Sequence, residues 1–178
     1  DIDDTVIWKS CNAEMSQEKY PDLGIKQLEL GDEICSVNGV DVVESIEFRD
    51  EDADTPLYNL ELTGNHTYIA NGLIAHNKCF REGTKVLMED GSLKLIENVM
   101  VGEKLLGRDG EINTVLDFHR PLLGENDHKL PHKQRMVSIN GGEYSVSEDH
   151  MIFTSEGWKT PNPEICNILH KQVLENEG

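Results

Sequence analysis

An internal repeat is the feature that most constrains how this chain can fold. Residues 28–39, continued by 46–48, recur as residues 99–110, continued by 116–118. In each copy an apolar residue stands immediately before a glycine and an acidic residue follows that glycine. An Asn-Gly or Asp-Gly turn comes next, followed by a strand that ends in Phe. The spacing differs by one residue between the copies. The repeat predicts two similar β halves related by a pseudo-twofold axis.

Short β-branched or aromatic runs bounded by Gly, Asn and Asp predict a mainly β protein. The strongest strand signals lie at 57–62, 67–69, 85–88, 136–139, 144–146 and 151–154. One helix is predicted from Pro163 to about residue 175, because Pro suits a first helical position and apolar residues follow at helical spacing. A second, shorter helix is predicted around 13–19. The length of 178 residues suits one domain.

The charge balance excludes several classes of partner. With 34 acidic and 16 basic residues the net charge is −18, so the chain repels nucleic acid and anionic lipid surfaces. No apolar run approaches the roughly 18 residues that a membrane-spanning helix needs. We therefore expect neither a nucleic-acid nor a membrane partner, and a cytoplasmic location.

The cysteines and histidines do not form a recognisable metal motif. None of the four cysteines belongs to a C-x-x-C pair, and His128 and His132, the only closely spaced histidines, have no cysteine beside them. We predict no metal and no cofactor. The cysteines at 11, 35 and 166 are interpreted as structural, and the polar stretch 122–134 as a solvated loop.

The densest chemistry lies between the two halves, where His76, Asn77, Lys78 and Cys79 follow one another. The Asn77 side-chain amide can attack its own backbone carbonyl, closing a succinimide and releasing the next residue, if His76 polarises that carbonyl. Cys79 can attack the carbonyl of Lys78 and form a thioester, if its thiol is ionised and the leaving nitrogen is protonated. Taken singly, each residue also fits a turn or a small buried side chain. Together they indicate two scissile bonds that flank Lys78.

Three separated motifs resemble those of inteins and bacterial intein-like domains. Cys79-Phe-Arg-Glu-Gly-Thr-Lys-Val86 resembles their first block, and Tyr144-Ser-Val-Ser-Glu-Asp-His150 resembles the second, normally written Thr-x-x-His. The stretch from Tyr58-Asn-Leu60 through 64–68 to Ala75-His-Asn77 resembles the last two. The resemblance implies the Hint fold, an all-β flattened horseshoe with pseudo-twofold symmetry and, here, one or two short helices.

The order of these motifs is inverted relative to the family. Residues 1–77 resemble the C-terminal part of an intein, residues 79–178 resemble the N-terminal part, and Lys78 joins them. We therefore predict a single Hint domain over 1–178 in circularly permuted order. Two alternatives are an inactive split module that acts by fragment assembly, and one half each of two tandem Hint domains, which would form swapped dimers.

The resemblance also implies roles for the residues at the first bond. Cys79 would perform the N-to-S acyl shift, and His150 would protonate the nitrogen of the scissile amide. Ser147, in place of the usual Thr, would hydrogen-bond the scissile peptide. Asn59 stands where the family often has Asp, which leaves Asp149 as the nearest candidate carboxylate, although strand alternation would point Asp149 elsewhere.

At the second bond, the resemblance assigns His76 to the carbonyl of Asn77, the cyclisation to Asn77 itself and an assisting role to His66. Lys78 is the largest departure, because splicing needs Cys, Ser or Thr there. Its ammonium is a poor acyl acceptor at neutral pH. We therefore expect a single-turnover, self-cleaving or self-splicing domain, with ligation by the standard route disfavoured. Its partners are its own flanking polypeptide (the exteins) or a complementary intein fragment.

Overall fold

The computed structural model of the chain describes residues 25–37, 39–76 and 79–176. Strands in the first part are β1 Lys26–Gln27, β2 Glu33–Ser36, β3 Gly39–Val42, β4 Ile46–Arg49, β5 Leu57–Leu62, β6 Thr67–Ala70 and β7 Leu73–His76. Strands in the second part are β8 Phe80–Arg81, β9 Lys85–Leu87, β10 Leu93–Leu95, β11 Lys104–Leu106, β12 Ile112–His119, β13 Met136–Ile139, β14 Tyr144–Ser147, β15 Ile152–Thr154 and β16 Gly157–Thr160. Helix α1 spans Pro163–Asn176.

The described strands form two sheets, and each sheet takes strands from both parts of the chain. One sheet has the order β1-β16-β15-β2-β7-β6-β9-β10, with β3 added beside β2. The other has the order β11-β12-β5-β8-β14-β13-β4. The strands pair antiparallel, apart from β1 and β16, which run parallel. Because strands before residue 76 alternate in blocks with strands after residue 79, the two parts fold together.

A core of buried apolar side chains connects the two sheets. It includes Ile34 and Tyr68 from the first sheet and Leu60 and Val137 from the second. Within β5 the alternate residues at 58, 60 and 62 are buried whereas Glu61 is exposed, as expected for a strand with one face on the core. Full burial of an apolar side chain of this size stabilises the fold by about 1.5–3 kcal/mol relative to leaving it exposed.

The predicted repeat is confirmed by matching turns in the two copies. Gly31 and Gly102 both have positive φ, at 90° and 93°, a backbone conformation that glycine adopts without strain. The Gly31 N–H donates to the Val43 carbonyl over 2.8 Å, and the Gly102 N–H donates to the Val115 carbonyl over 2.8 Å. The two copies therefore share a turn as well as a sequence pattern.

The acidic residue after each glycine also has the same contacts in both copies. Asp32 and Glu103 each accept a backbone N–H from three residues earlier, over 2.8 Å. Lys159 donates to Asp32 over 2.8 Å, and Lys94 donates to Glu103 over 2.6 Å. This explains why the repeat keeps a carboxylate in both copies, since it closes the turn and pairs with a lysine of another strand.

The predicted mainly β fold is confirmed. Each of the six strand signals coincides with a strand, and those at 57–62 and 136–139 have the predicted bounds. Helix α1 begins at Pro163 as predicted, and the Asn162 side chain accepts the Ile165 N–H over 3.3 Å at its start. The helix predicted around 13–19 lies outside the described residues. No helix in the described part of the chain is long and apolar enough to cross a membrane.

Candidate functional site

Cys79 lies immediately before β8, a short strand in the middle of the seven-stranded sheet. Phe80 in β8 pairs with Tyr58 of β5 on one side and with Val146 of β14 on the other. Phe80 is buried in the core, so Cys79, the residue before it, belongs to the opposite face of the sheet. The thiol is partly buried and packs against an apolar cluster of Leu57, Leu123 and Met136.

Continuing these registers by one residue places Asn59 and Ser147 on either side of Cys79. Both neighbours carry a short polar side chain. Ser147 is buried. The Oδ1 atom of Asn59 is also buried, and it accepts no hydrogen bond from a described residue. The sheet therefore brings together three of the residues that the sequence proposed for the first bond.

Cys79 opens onto a small cleft of about 110 Å³. Polar and charged side chains on its wall are Glu125, Asn126, Gln134, Ser147 and Asp149, and its apolar wall is formed by Leu57, Pro121, Leu122 and Leu169. Asp149 is beyond the end of β14 in a turn, so strand alternation does not set its direction. The expectation that alternation would point Asp149 elsewhere is wrong, because Asp149 faces the same cleft as the thiol.

His150 completes the turn that follows Ser147. Its backbone N–H donates to the Ser147 carbonyl over 3.0 Å, and its side chain is fully buried. The imidazole meets the ring of Phe80 edge-on, with 4.7 Å between ring centroids. His150 is thus held directly against the residue that follows the proposed nucleophile.

The loop before β13 is anchored to this turn, although its composition had predicted a solvated loop. Gln134 is 8% exposed, and its Nε2 donates to the Asp149 carboxylate over 2.7 Å. The Gln134 N–H in turn donates to the Asp127 carboxylate over 2.8 Å. The sequence contained no local signal for these contacts, because polar residues in a loop are ordinarily exposed.

His66 occupies a second turn, between β5 and β6. Its φ of 59° is in the left-handed region, and its Nδ1 lies 2.5 Å from the Leu62 carbonyl oxygen. A carbonyl only accepts, so Nδ1 carries the proton and the neutral ring has its basic lone pair on Nε2. Thr67, the next residue, pairs with His76, which places His66 beside the end of β7.

The remaining proposed residues lie at or beyond that end of β7. The backbone of His76 belongs to β7, but its side chain lies outside the described part of the structure, as do Asn77 and Lys78. The roles assigned to these three residues stay predictions. What the fold provides for them is a strand end that lies next to His66.

Tyr68 is a residue near the site to which sequence reasoning gave no role. Its side chain is fully buried and meets the Phe80 ring edge-on at 5.8 Å between centroids. Burial raises the pKa of the Tyr68 phenol well above its ordinary value, and the nearby Cys79, when ionised, raises that pKa further. Tyr68 therefore presents a protonated phenol in the neighbourhood of the thiol.

One group among the described residues has the chemistry of metal ligands. Glu61, Asp117 and His119 offer ligand atoms within 4.8 Å of one another, and all three are exposed. His119 lies 3.7 Å from the Glu61 carboxylate and 3.6 Å from that of Asp117. These distances are those of ordinary surface ion pairs.

Comparison with known proteins finds similarities to parts of this chain. Residues 79–155 match the family model of the Hint domain associated with homing endonucleases. Over 85 residues the chain is 34% identical to a protein from Candida tropicalis that is named as a catalytic subunit of the V-type proton ATPase. That alignment covers 45% of this chain and 8% of the Candida protein, so the chain spans only a small part of this relative. No solved structure matches the chain.

Proposed function

Because residues 79–155 match the intein-like Hint family within an all-β fold, we propose that the chain cleaves the two peptide bonds that flank Lys78, each once per molecule. The observation that carries this proposal is the placement of Cys79, between Asn59 and Ser147 and at the rim of a cleft that has one polar wall. That arrangement supplies a nucleophile, a neighbouring hydroxyl and a space for the carbonyl under attack.

At the first bond, the Cys79 thiolate attacks the carbonyl carbon of Lys78. A carbon–sulfur bond forms, the carbon–nitrogen bond of the amide breaks, and the nitrogen becomes the α-amine of Cys79 after taking a proton. His150 is proposed to supply that proton, and Ser147 to hydrogen-bond the peptide as it distorts. Water then attacks the thioester carbonyl and releases the thiol.

At the second bond, the side-chain nitrogen of Asn77 attacks the backbone carbonyl carbon of the same residue. The ring closes to a succinimide, the bond to Lys78 breaks, and the amine of Lys78 leaves with a proton. His66 directly precedes Thr67, which pairs with His76 at the strand end from which this step starts, and this placement supports an assisting role. His76 would polarise the same carbonyl.

Cleavage is favoured over ligation by the residue at the junction. Ligation by the family's route would require a hydroxyl or thiol acceptor in the residue after Asn77, which is Lys78, and within this chain the acyl group on Cys79 would be that of Lys78 itself. The Lys78 ammonium is protonated at neutral pH and is a weak nucleophile. Neither hydrolysis of the thioester nor formation of the succinimide needs that acceptor.

We further propose that residues 1–178 are a single Hint domain in permuted order, in which 1–77 take the place of a C-terminal part and 79–178 that of an N-terminal part. Two observations support this arrangement. Both sheets interleave strands from the two parts, and β1 pairs in parallel with β16, with Lys26 opposite Lys159. Strands from near the start and near the end of the described chain are therefore neighbours. The polypeptide partners would be flanking exteins or a complementary fragment.

Fragment mapping by intact mass spectrometry tests the function. The parent chain is expected to yield pieces corresponding to 1–77 and 79–178 during incubation. Cys79→Ala should retain only the cut after Asn77, Asn77→Ala only the cut before Cys79, and the double variant neither. A parent chain that stays whole, or a double variant that still fragments, contradicts the proposal. Analytical ultracentrifugation separates a monomeric permuted domain from a swapped dimer.

A further inference from the structure

Glu148 is a fully buried carboxylate that lies between the two residues proposed to act on the first bond, Ser147 and His150. It is 0% exposed. Charged side chains are rarely buried to this degree unless they are paired and hydrogen-bonded. Its position in the sequence carries no motif signal, and the chemistry proposed above does not use it.

The Glu148 carboxylate accepts hydrogen bonds from three residues of other segments. Arg135 donates from its backbone N–H over 3.0 Å, from Nε over 3.3 Å and from Nη2 over 3.1 Å. His132 Nε2 lies 3.0 and 3.2 Å from the two carboxylate oxygens. Asn162 Nδ2 donates over 3.1 Å. These donors come from the loop before β13 and from the start of α1, so the carboxylate ties two segments to the turn.

The backbone of Glu148 is hydrogen-bonded to the same two segments. Its N–H donates to the Arg135 carbonyl over 3.1 Å, and its carbonyl accepts the Asn162 N–H over 2.9 Å. The Thr160 hydroxyl also donates to this carbonyl over 3.3 Å. The turn is therefore fixed through both its main chain and the buried Glu148 carboxylate.

We propose that Glu148 is a positioning residue, which sets where Ser147 and His150 lie relative to Cys79. Ser147 precedes Glu148 directly and His150 follows two residues later, in a turn closed by the 3.0 Å hydrogen bond between them. A shift at Glu148 therefore moves the hydroxyl and the imidazole together. This role presupposes the reaction proposed above and concerns its first bond only, since His66 belongs to a different turn.

Retaining the carboxylate matters more than retaining the shape of the side chain. Every group that meets it is a donor, so the amide of Glu148→Gln would bring a second donor against them. Glu148→Asp keeps both acceptor oxygens on a shorter stem. We expect Glu148→Ala to slow thioester-dependent cleavage before Cys79 by roughly 10- to 100-fold, as misplacement of reacting groups does. Glu148→Asp should restore part of that loss.

The test compares two rates within one molecule. Cleavage before Cys79 and cleavage after Asn77 are both followed by mass spectrometry, and the expected result is a loss confined to the first. Glu103→Ala is the matched control. Like Glu148, Glu103 accepts hydrogen bonds from a basic side chain and from a backbone N–H, but it belongs to the repeat turn. General destabilisation would slow both cleavages in parallel in Glu148→Ala. A parallel loss, or no loss, overturns the positioning role.

A second measurement does not depend on cleavage. In a Cys79→Ala, Asn77→Ala background, the ring signals of His150 and His66 are followed by NMR as the pH is changed. Glu148→Ala is expected to alter the His150 titration and leave that of His66 in place. An unchanged His150 titration overturns the role of Glu148. A parent chain that cleaves neither bond overturns the proposed reaction instead, so the two failures are distinguishable.

Discussion

Two turns carry His66 and His150, two of the proposed site histidines, and the fold places these turns in corresponding positions. Residues 63–66 connect β5 to β6, and residues 148–151 connect β14 to β15. Each turn leaves the seven-stranded sheet and enters the nine-stranded sheet. The turns differ in what holds them. The His150 turn is fixed by a buried charge, whereas the His66 turn is fixed by neutral amides and a hydroxyl.

The neutral network is centred on Asn65. Its Oδ1 accepts the Thr67 hydroxyl over 2.6 Å and the Asn113 amide over 2.8 Å. The same Asn113 amide donates to the Thr67 carbonyl over 2.8 Å. A neutral hydrogen bond contributes about 0.5–1.5 kcal/mol net, whereas breaking a buried ion pair costs about 3–5 kcal/mol because a charge is left unpaired. The His150 turn should therefore be the more sensitive to a single substitution.

The largest effect on stability is expected when Arg135, the cation that pairs with Glu148 of the His150 turn, is removed. Arg135→Met would leave the buried Glu148 carboxylate without its guanidinium partner, and we expect a loss of about 3 kcal/mol in the free energy of unfolding. Urea unfolding measures it. Arg49→Met is the control, because Arg49 pairs with Glu47 where both side chains are more than half exposed and should change stability by less than about 1 kcal/mol. Equal losses of stability in Arg135→Met and Arg49→Met would contradict the claim that a buried charge fixes the His150 turn.

A smaller effect is expected at the neutral turn. Asn113→Ala removes two donated hydrogen bonds from a fully buried site, which should cost about 1–3 kcal/mol. Because His66 belongs to this turn, cleavage after Asn77 should slow by several-fold more than cleavage before Cys79, the reverse of the pattern expected at Glu148. Urea unfolding and the two cleavage rates measure this. A loss concentrated at the Cys79 bond would show that the turns do not act separately.

The smallest effect is expected at Tyr68, which follows the His66 turn but lies near Cys79. Its raised pKa means that the phenol stays protonated up to and beyond pH 10, where a free tyrosine ionises. The rate of Cys79 alkylation against pH should therefore show the ionisation of the thiol without a further change near pH 10. Tyr68→Phe should change that rate by only a few-fold. A second inflection near pH 10 that Tyr68→Phe abolishes would contradict the protonated phenol.

Local sequence patterns were sufficient for the strands, the repeat turns and the start of α1. Alternating burial in β5 and the glycines at 31 and 102 are properties of a few consecutive residues, so a single sequence reveals them. Cys79, Ser147 and His150 were proposed from a resemblance to family motifs; the structure places Ser147 beside Cys79 and His150 in the turn that follows, and their roles stay predictions.

The contacts that hold the site together could not be predicted in the same way. Gln134 and Arg135 belong to a polar loop whose composition is typical of exposed residues, and their burial depends on where the turn after β14 lies. Asn65 and Asn113 are far apart in the chain and meet only because β5 pairs with β12. Such partners are set by strand pairing and tertiary packing, which leave no local pattern in the sequence.

Capture of the thioester with hydroxylamine tests the central claim most directly. Hydroxylamine attacks the carbonyl carbon bound to sulfur and displaces the Cys79 thiolate, leaving Lys78 with a C-terminal hydroxamate. We predict that mass spectrometry will find a fragment ending in that hydroxamate in the parent chain and not in Cys79→Ala. A chain that keeps its mass of 20.1 kDa under hydroxylamine, with no hydroxamate formed, would contradict the assignment of Cys79 as the nucleophile.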